Sequence, residues 1–188
     1  YIMVKTKTQE FDHPSGEDNV YGFYQGTDGV SLGSFFRRFI YAWQLGDFNI
    51  LISNQLTPES RVLYYRNIKD RVSNLAPFLT LDKDPYPVVI DGRILWIQDA
   101  YTTSNRYPYS TPDVSGINYI RNSVKAIVDA YNGDVTFYIA DPQDALIRTY
   151  QSIFPKLFLP FNQMPEALRV HLRYPEDMFV IQAEVYRS

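Results

Sequence analysis

Cysteine is absent from the 188 residues, which excludes disulfides, thiolate metal sites and a thiol nucleophile. Histidine is nearly absent as well. A Ser-His-Asp arrangement would depend on His13 or His171, and no stretch has the spacing of a zinc site or a calcium loop. The chain also lacks a Gly-rich phosphate loop, a G-x-S-x-G elbow and an HExxH pair. No sign of charge dominates: 18 basic and 21 acidic residues leave a formal charge of -3, which argues against a general electrostatic grip on nucleic acid. No apolar run reaches the ~20 residues a membrane span requires, and the strongest, residues 35–43, is interrupted by Arg37 and Arg38. Neither a cofactor nor a metal is expected.

What the chain has in quantity is aromatic side chains: 16 Tyr, 12 Phe and 2 Trp. Tyrosine joins an apolar body to a polar tip, so this supply suits large contacts whose hydroxyls reach water or a partner. Apolar and charged contents of 45% and 21% describe a folded chain, and no linker, repeat or low-complexity tract divides it. A single module over residues 1–188 is expected. Its ends fall inside an apparent strand (YIMVKTK) and an amphipathic helix (DMFVIQAEVYRS), the pattern of a segment from within a longer protein.

The organising stretch is residues 84–141. It holds two pairs of apolar runs, each joined by a turn dipeptide, Asp91-Gly92 and Asn132-Gly133. Both suit the two-residue type I′ hairpin, whose positive φ angles Gly, Asn and Asp tolerate. The first turn sets Val89 opposite Ile94, Val88 opposite Leu95 and Pro87 opposite Trp96, with both faces apolar and Pro87 at a strand start or sheet edge. The second sets Ala130 opposite Val135, Val128 opposite Phe137 and Ala126 opposite Ile139. The fold class that follows is α+β: an antiparallel sheet of about four to six strands, built from these hairpins and packed against several amphipathic helices.

Around this sheet the punctuation marks helices. Leu32, Phe35, Phe36, Phe39, Ile40 and Trp43 recur at helical spacing, with Ser31 or Ser34 as N-cap and Gly46 past the end, and this broad face is expected in the core. Thr57-Pro58 is expected to open a second helix, its buried face Tyr64, Ile68, Val72 and Leu75. Asp141-Pro142 stops the sheet and starts a third, with Asp144 in its first turn; two short helices follow Met164-Pro165 and Tyr174-Pro175. Residues 7–29 and 102–116 are read as loops, the first with one short strand at Val20 to Tyr24.

Two sets of residues are candidates for function. Asp99 and Asp129 each follow an apolar strand and precede Ala-Tyr; on neighbouring strands they would form an acid/base pair, and otherwise they face solvent or bond turn amides. Tyr101, Asn105, Arg106, Tyr107 and Tyr109 cluster at the 102–116 loop. Tyr and Arg are enriched where proteins bind partners, and aromatic faces beside amides suit sugar rings as well.

Long stretches of the chain resemble one family. LTPESRVLYYRNIKDRV, YPVVIDGRILWIQDAYTTSNRYPYS, INYIRNSVKAIVDAYNGDVTFYIADPQDALIRTYQSIFPKLF and MPEALRVHLRYPEDMFVIQAEVY are similar to the uncharacterised protein family 0182. Its members are large prokaryotic proteins with several N-terminal transmembrane helices and a long soluble portion. The resemblance implies that this chain is an internal piece of that portion, at the cell membrane and extracytoplasmic. Its implied partners are the rest of its own membrane-spanning chain and, beyond that, another envelope protein or a glycan. It implies no catalytic residue. The function expected is therefore a non-catalytic module for assembly or recognition at the cell envelope. Two alternatives stand beside it: an acid/base hydrolase of envelope polymers, and a sensory or inhibitory domain of the PepSY type, whose strand–turn–strand motif VDAYNGDV resembles.

Overall fold

The computed structural model describes residues 1–113 and 115–187. Val114, within the expected 102–116 loop, and Ser188, ending the expected last helix, lie outside the described residues. By contact the chain divides into two compact units, Tyr1–Arg66 and Asn67–Ser188.

The first unit runs through β1 (Ile2–Val4), β2 (Glu10–Ser15), β3 (Asp18–Gly22), β4 (Val30–Ser31), α1 (Phe35–Leu45), α2 (Asn49–Ile52) and β5 (Arg61–Leu63). Strands β1, β5 and β4 form an antiparallel sheet in that order, and β2 pairs with β3 as a separate hairpin turning at Gly16. That hairpin lies within residues 7–29, where only one short strand at Val20 to Tyr24 was expected: β3 overlaps it, and β2 is the partner that the polar sequence did not show. Leu32, Ala42, Ile50, Leu56 and Val62 form a small buried core.

Two expectations fail in this unit. Thr57-Pro58 opens a turn instead of a helix: the Thr57 and Ser60 hydroxyls both donate to the Lys5 carbonyl, and Arg61, Val62 and Leu63 continue as a strand beside β1. Helix α1 starts and stops as expected, with the Ser34 hydroxyl accepting the Arg37 N–H and Gly46 in the left-handed conformation. Its broad apolar face, however, is not in the core. Phe35, Phe36 and Trp43 are 70–76% exposed, and Phe39 and Ile40 more than 40%. The helix is seated instead on buried Ala42, with Tyr41 and Leu45 partly covered beside it.

The second unit comprises α3 (Ile68–Leu75), β6 (Thr80–Leu81), β7 (Tyr86–Ile90), β8 (Arg93–Ser104), β9 (Tyr119–Asp129), β10 (Val135–Ile139), α4 (Ala145–Ile153), β11 (Phe158–Pro160), a 3-10 turn (Phe161–Gln163), α5 (Glu166–Arg169) and α6 (Glu176–Arg187). Its six-stranded sheet runs β11-β10-β9-β8, with β6 and β7 both pairing along the outer side of β8. All pairings are antiparallel except β10 with β11, a parallel edge the turn chemistry gave no sign of. Strand β8 also carries Thr102, Thr103 and Ser104, which were expected to be loop.

The first hairpin has the expected register, Val89 opposite Ile94 and Pro87 opposite Trp96, with Asp91 and Gly92 both at positive φ. Pro87 sits on an edge, where no neighbour needs its missing N–H. The second hairpin is shifted by two residues: Val128 faces Val135 and Ala126 faces Phe137. The cause is Asp129, whose carboxylate accepts the N–H groups of Tyr131 and Asn132 and opens a longer turn ending at left-handed Gly133. A shift of two preserves alternation, so the same side chains still point to one face.

That face carries Ala100, Val124, Ala126, Val128, Phe137 and Ile139, covered by Val72 of α3, by Ala76 just past its end and by Ile147 of α4. The opposite face carries Tyr86, Val88, Ile97, Ile127 and Tyr138, covered by Met164 and by Leu168 of α5. Both faces of the central strands are buried, which is why β8 and β9 read as near-continuous apolar runs.

Candidate functional site

Polar residues interrupt those runs at one level of the sheet. Asp99 on β8 stands directly opposite Lys125 on β9, and the Lys125 ammonium donates to Asp99 Oδ1. Both side chains are almost wholly buried, at 3% and 6% exposure. Beside them Tyr101 donates its hydroxyl to Asp82 Oδ2, again out of solvent. Burial pushes the Asp99 carboxyl above the usual aspartate range; the Lys125 charge opposes that rise without cancelling it, and the Asp82 charge adds to it. Burial likewise raises the Tyr101 phenol, and its bond to Asp82 raises it further.

Asp82 is also an anchor for α6. Its Oδ2 accepts the Asp177 N–H in the first turn of that helix at 3.0 Å, and its Oδ1 accepts the Asp84 N–H at 2.8 Å. Asp177 reciprocates by accepting the Lys83 N–H. A carboxylate from the segment between β6 and β7 thus satisfies a free amide at the positive end of the helix, as a cap within the helix would.

The strand pair is irregular at this level. Ala100 pairs with Val124 and Thr102 with Arg121, so Asn122 and Ser123 of β9 together oppose Tyr101: a β-bulge. The bulge sends neighbouring side chains to different networks. Asn122 Oδ1 accepts from Lys125 Nζ at 3.3 Å, while Ser123 Oγ donates to Asp144 at 2.7 Å.

Asp144 is the second hub. It is the N-cap of α4, accepting the Leu146 and Ile147 N–H groups, and it accepts the hydroxyls of Thr102 (2.5 Å) and Tyr119 (2.5 Å) besides Ser123. Burial pushes its carboxyl up, but these hydrogen bonds outweigh burial and hold it below the usual range. The Tyr119 phenol is pushed up to about 12, by burial first and by Asp144 second.

A polar cleft of about 310 Å³ adjoins the bulge, lined by Arg121, Asn122, Asp141, Tyr174, Met178 and Gln182. Its groups are paired with one another: Arg121 with Asp141 at 3.8 Å, and Tyr174 with Gln182 at 2.7 Å. Among the described residues, no three His, Cys, Asp or Glu side chains gather as a metal ion would need.

The acids singled out in the sequence are not brought together. Asp129 faces Leu95, four residues along the strands from the Asp99–Lys125 pair, or about 13 Å at the usual rise per residue. It is held by Arg93 at 2.6 Å and by its own turn amides. The aromatic loop is likewise divided. Tyr101 is buried at the polar cluster, whereas Asn105, Arg106, Tyr107 and Tyr109 are exposed. Asn118 braces that loop, its side chain bonding the Tyr107 N–H, the Tyr107 carbonyl and the Ser110 carbonyl. Tyr107 stacks on Tyr119 at 5.1 Å, and Tyr109, at positive φ, is fully exposed.

Lys125, Asp82, Ser123 and Asp144 were missed as a group. Their one signal in the sequence was a lysine inside the apolar run SVKAIV, facing an aspartate inside IQDAY. A charge in a strand covered on both sides requires a partner.

A six-stranded sheet buried on both faces, with its charges paired inside it, defines an α+β module whose polar core serves the fold. The chain belongs to the uncharacterised protein family UPF0182, which it matches over residues 1–188. It is 56% identical to a UPF0182 protein of Cupriavidus necator across its whole length, and 54% identical to those of Sulfurovum sp. and Methanospirillum hungatei over 99% of it. It spans about a fifth of those relatives, covering 21% of each. No solved structure matches it. Among the described residues no helix is long and apolar enough to cross a membrane.

Proposed function

We propose that the chain is a non-catalytic recognition and assembly module within a long membrane protein, working on the extracytoplasmic side of the cell membrane. One observation carries the reading: Asn118 pins the loop from three backbone groups while Arg106 and Tyr109 project into solvent. A loop ordered in advance loses less entropy on binding, and Tyr and Arg supply contact area and directed hydrogen bonds. The partners in this reading are the remainder of the same membrane-spanning chain and another envelope protein or glycan. Hydrolysis by paired carboxylates finds no support, since Asp99 is committed to Lys125 and Asp129 to Arg93.

Photo-crosslinking at position 106 of the full-length protein in its native membrane tests the reading. A discrete crosslinked species, weakened by Arg106→Ala with Tyr109→Ala, is expected. Turnover of an envelope glycan by the wild-type protein, abolished by Asp99→Asn, would overturn it.

A further inference from the structure

We propose that the cleft beside the β9 bulge binds one neutral pyranose ring; the inference rests on the reading of the chain as a recognition module and gives that module a second contact point with a stated ligand class. The walls belong to one unit: Arg121 and Asn122 from β9, Asp141 from just past β10, and Tyr174, Met178 and Gln182 from α6 and the segment leading into it. Asp82 holds the first turn of α6 through the Asp177 N–H at 3.0 Å, and Met178 beside it is buried, so that wall is in place before any ligand arrives. At about 310 Å³ the cleft lies at the small end of ligand sites, which span roughly 300–1,000 Å³, and suits a single ring.

The pairings inside the cleft leave much of its hydrogen-bonding capacity unused. Asn122 Oδ1 accepts from Lys125 Nζ at 3.3 Å, and Gln182 Oε1 accepts the Tyr174 hydroxyl at 2.7 Å. Each amide oxygen is thus tied down, which orients its NH2 group, and among the described residues neither NH2 has a partner of its own. Arg121 and Asp141 stand 3.8 Å apart, beyond a hydrogen bond, with side chains 59% and 30% exposed. A ligand hydroxyl can therefore accept from the guanidinium or an amide while donating to the carboxylate. Charge then selects among ligands. Arg121 and Asp141 are the only charged side chains among the described residues lining the cleft, and they cancel. An anion would meet Asp141 and a cation would meet Arg121, each a like-charge contact. A neutral polyol meets neither penalty and uses all four polar groups. Tyr174, which is 60% exposed, and Met178 add apolar surface for the C–H face of the ring.

The test is calorimetric titration of the full-length protein in lipid nanodiscs with tetrasaccharides of glucose, mannose, N-acetylglucosamine and galacturonic acid, and with the three neutral sugars as free monomers. Expected is binding of a neutral sugar, with the galacturonate chain bound more weakly. A tetrasaccharide held more tightly than its monomer identifies a glycan as the source of the ring, and equal affinity identifies a free sugar; either supports the site. Gln182→Ala and Tyr174→Ala should each weaken binding severalfold. Asp141→Asn should lower the affinity for neutral sugar by about tenfold. It should also raise that for galacturonate, because Arg121 is then unopposed; a mere disturbance of the fold would not produce that exchange. Thermal unfolding checks each variant, and Gln182 is exposed enough to be replaced without harm to the core. The proposal is overturned if no neutral sugar binds, if galacturonate outcompetes the neutral sugars on the wild type, or if Gln182→Ala and Asp141→Asn bind as the wild type does. Sugar binding absent while position 106 still captures a partner would remove this inference alone. Sugar binding present with nothing captured at position 106 would remove the loop from the recognition reading and leave the cleft.

Discussion

Lys125 and Asp99 face each other across β8 and β9 with the ammonium donating to the carboxylate, in the one part of the sheet where both faces are closed to water. Either charge alone in that position would be expensive, because a buried ion without a counter-ion keeps the full cost of its lost hydration. Lys125→Met is therefore expected to cost about 3–5 kcal/mol at neutral pH, measured by denaturant unfolding. Asp99 already has its carboxyl raised by burial, so in that variant it can escape by taking a proton. A raised carboxyl destabilises the fold above its unfolded value and ceases to do so below it. The loss in Lys125→Met should accordingly shrink as pH falls toward about 4. The double variant Lys125→Met, Asp99→Leu should lose less than the two single losses summed.

Asp144 shows the opposite dependence. Its carboxyl is held below the usual range by Thr102, Tyr119, Ser123 and the α4 amides, despite burial acting the other way. A lowered carboxyl contributes stability above its unfolded value, about 3.9, and loses that contribution as pH falls through its folded value. Wild-type unfolding free energy should fall in this acid range, and Asp144→Asn should have a flatter acid limb while being less stable at neutral pH. An unchanged limb in Asp144→Asn would mean that another carboxylate carries the acid dependence.

How far the sequence could foresee this arrangement differs between the two units. Asp91-Gly92 fixed its hairpin to the residue, because a two-residue turn leaves no freedom of register. Asn132-Gly133 looked equivalent, yet Asp129 three positions earlier captured the turn amides and lengthened the loop. The α1 periodicity identified the helix and its caps correctly but not its environment, since a hydrophobic face says that something covers it and not what. The Asp99–Lys125 pair was hidden for a related reason. It needs the β8–β9 register, which no turn joins and only the folded sheet displays. The parallel strand β11 is three residues long and ends in proline, too short to show a period of two.

The exposed loop can be separated from the fold by two substitutions. Tyr107 stacks on Tyr119, and an aromatic pair of this kind contributes about 0.5–1.5 kcal/mol beyond its area. Tyr107→Ala should lower unfolding free energy by about 1 kcal/mol, whereas Tyr109→Ala, removing a fully exposed ring, should leave it within about 0.5 kcal/mol of wild type. Thermal unfolding distinguishes them. A large loss from Tyr109→Ala would assign that ring to the fold and withdraw it from partner contact.

Gly133 and Gly92 offer a matched comparison, since both end hairpin turns at nearly the same positive φ, 73° and 74°. A Cβ at Gly92 would meet nothing within 4 Å, so Gly92→Ala should cost only the left-handed penalty of about 1–2 kcal/mol. At Gly133 the added carbon would stand 2.2 Å from Arg71 Nη1, which donates to the Gly133 carbonyl from α3 at 2.5 Å. The arginine tip can swing away, but the bond is then lost, adding about 1 kcal/mol. Gly133→Ala is thus expected to be the more destabilising of the two by denaturant unfolding. In an Arg71→Met background the two alanine substitutions should cost the same, because the steric conflict and the hydrogen bond disappear together. An undiminished difference in that background would place the constraint at Gly133 in its turn alone and not in the clamp from α3.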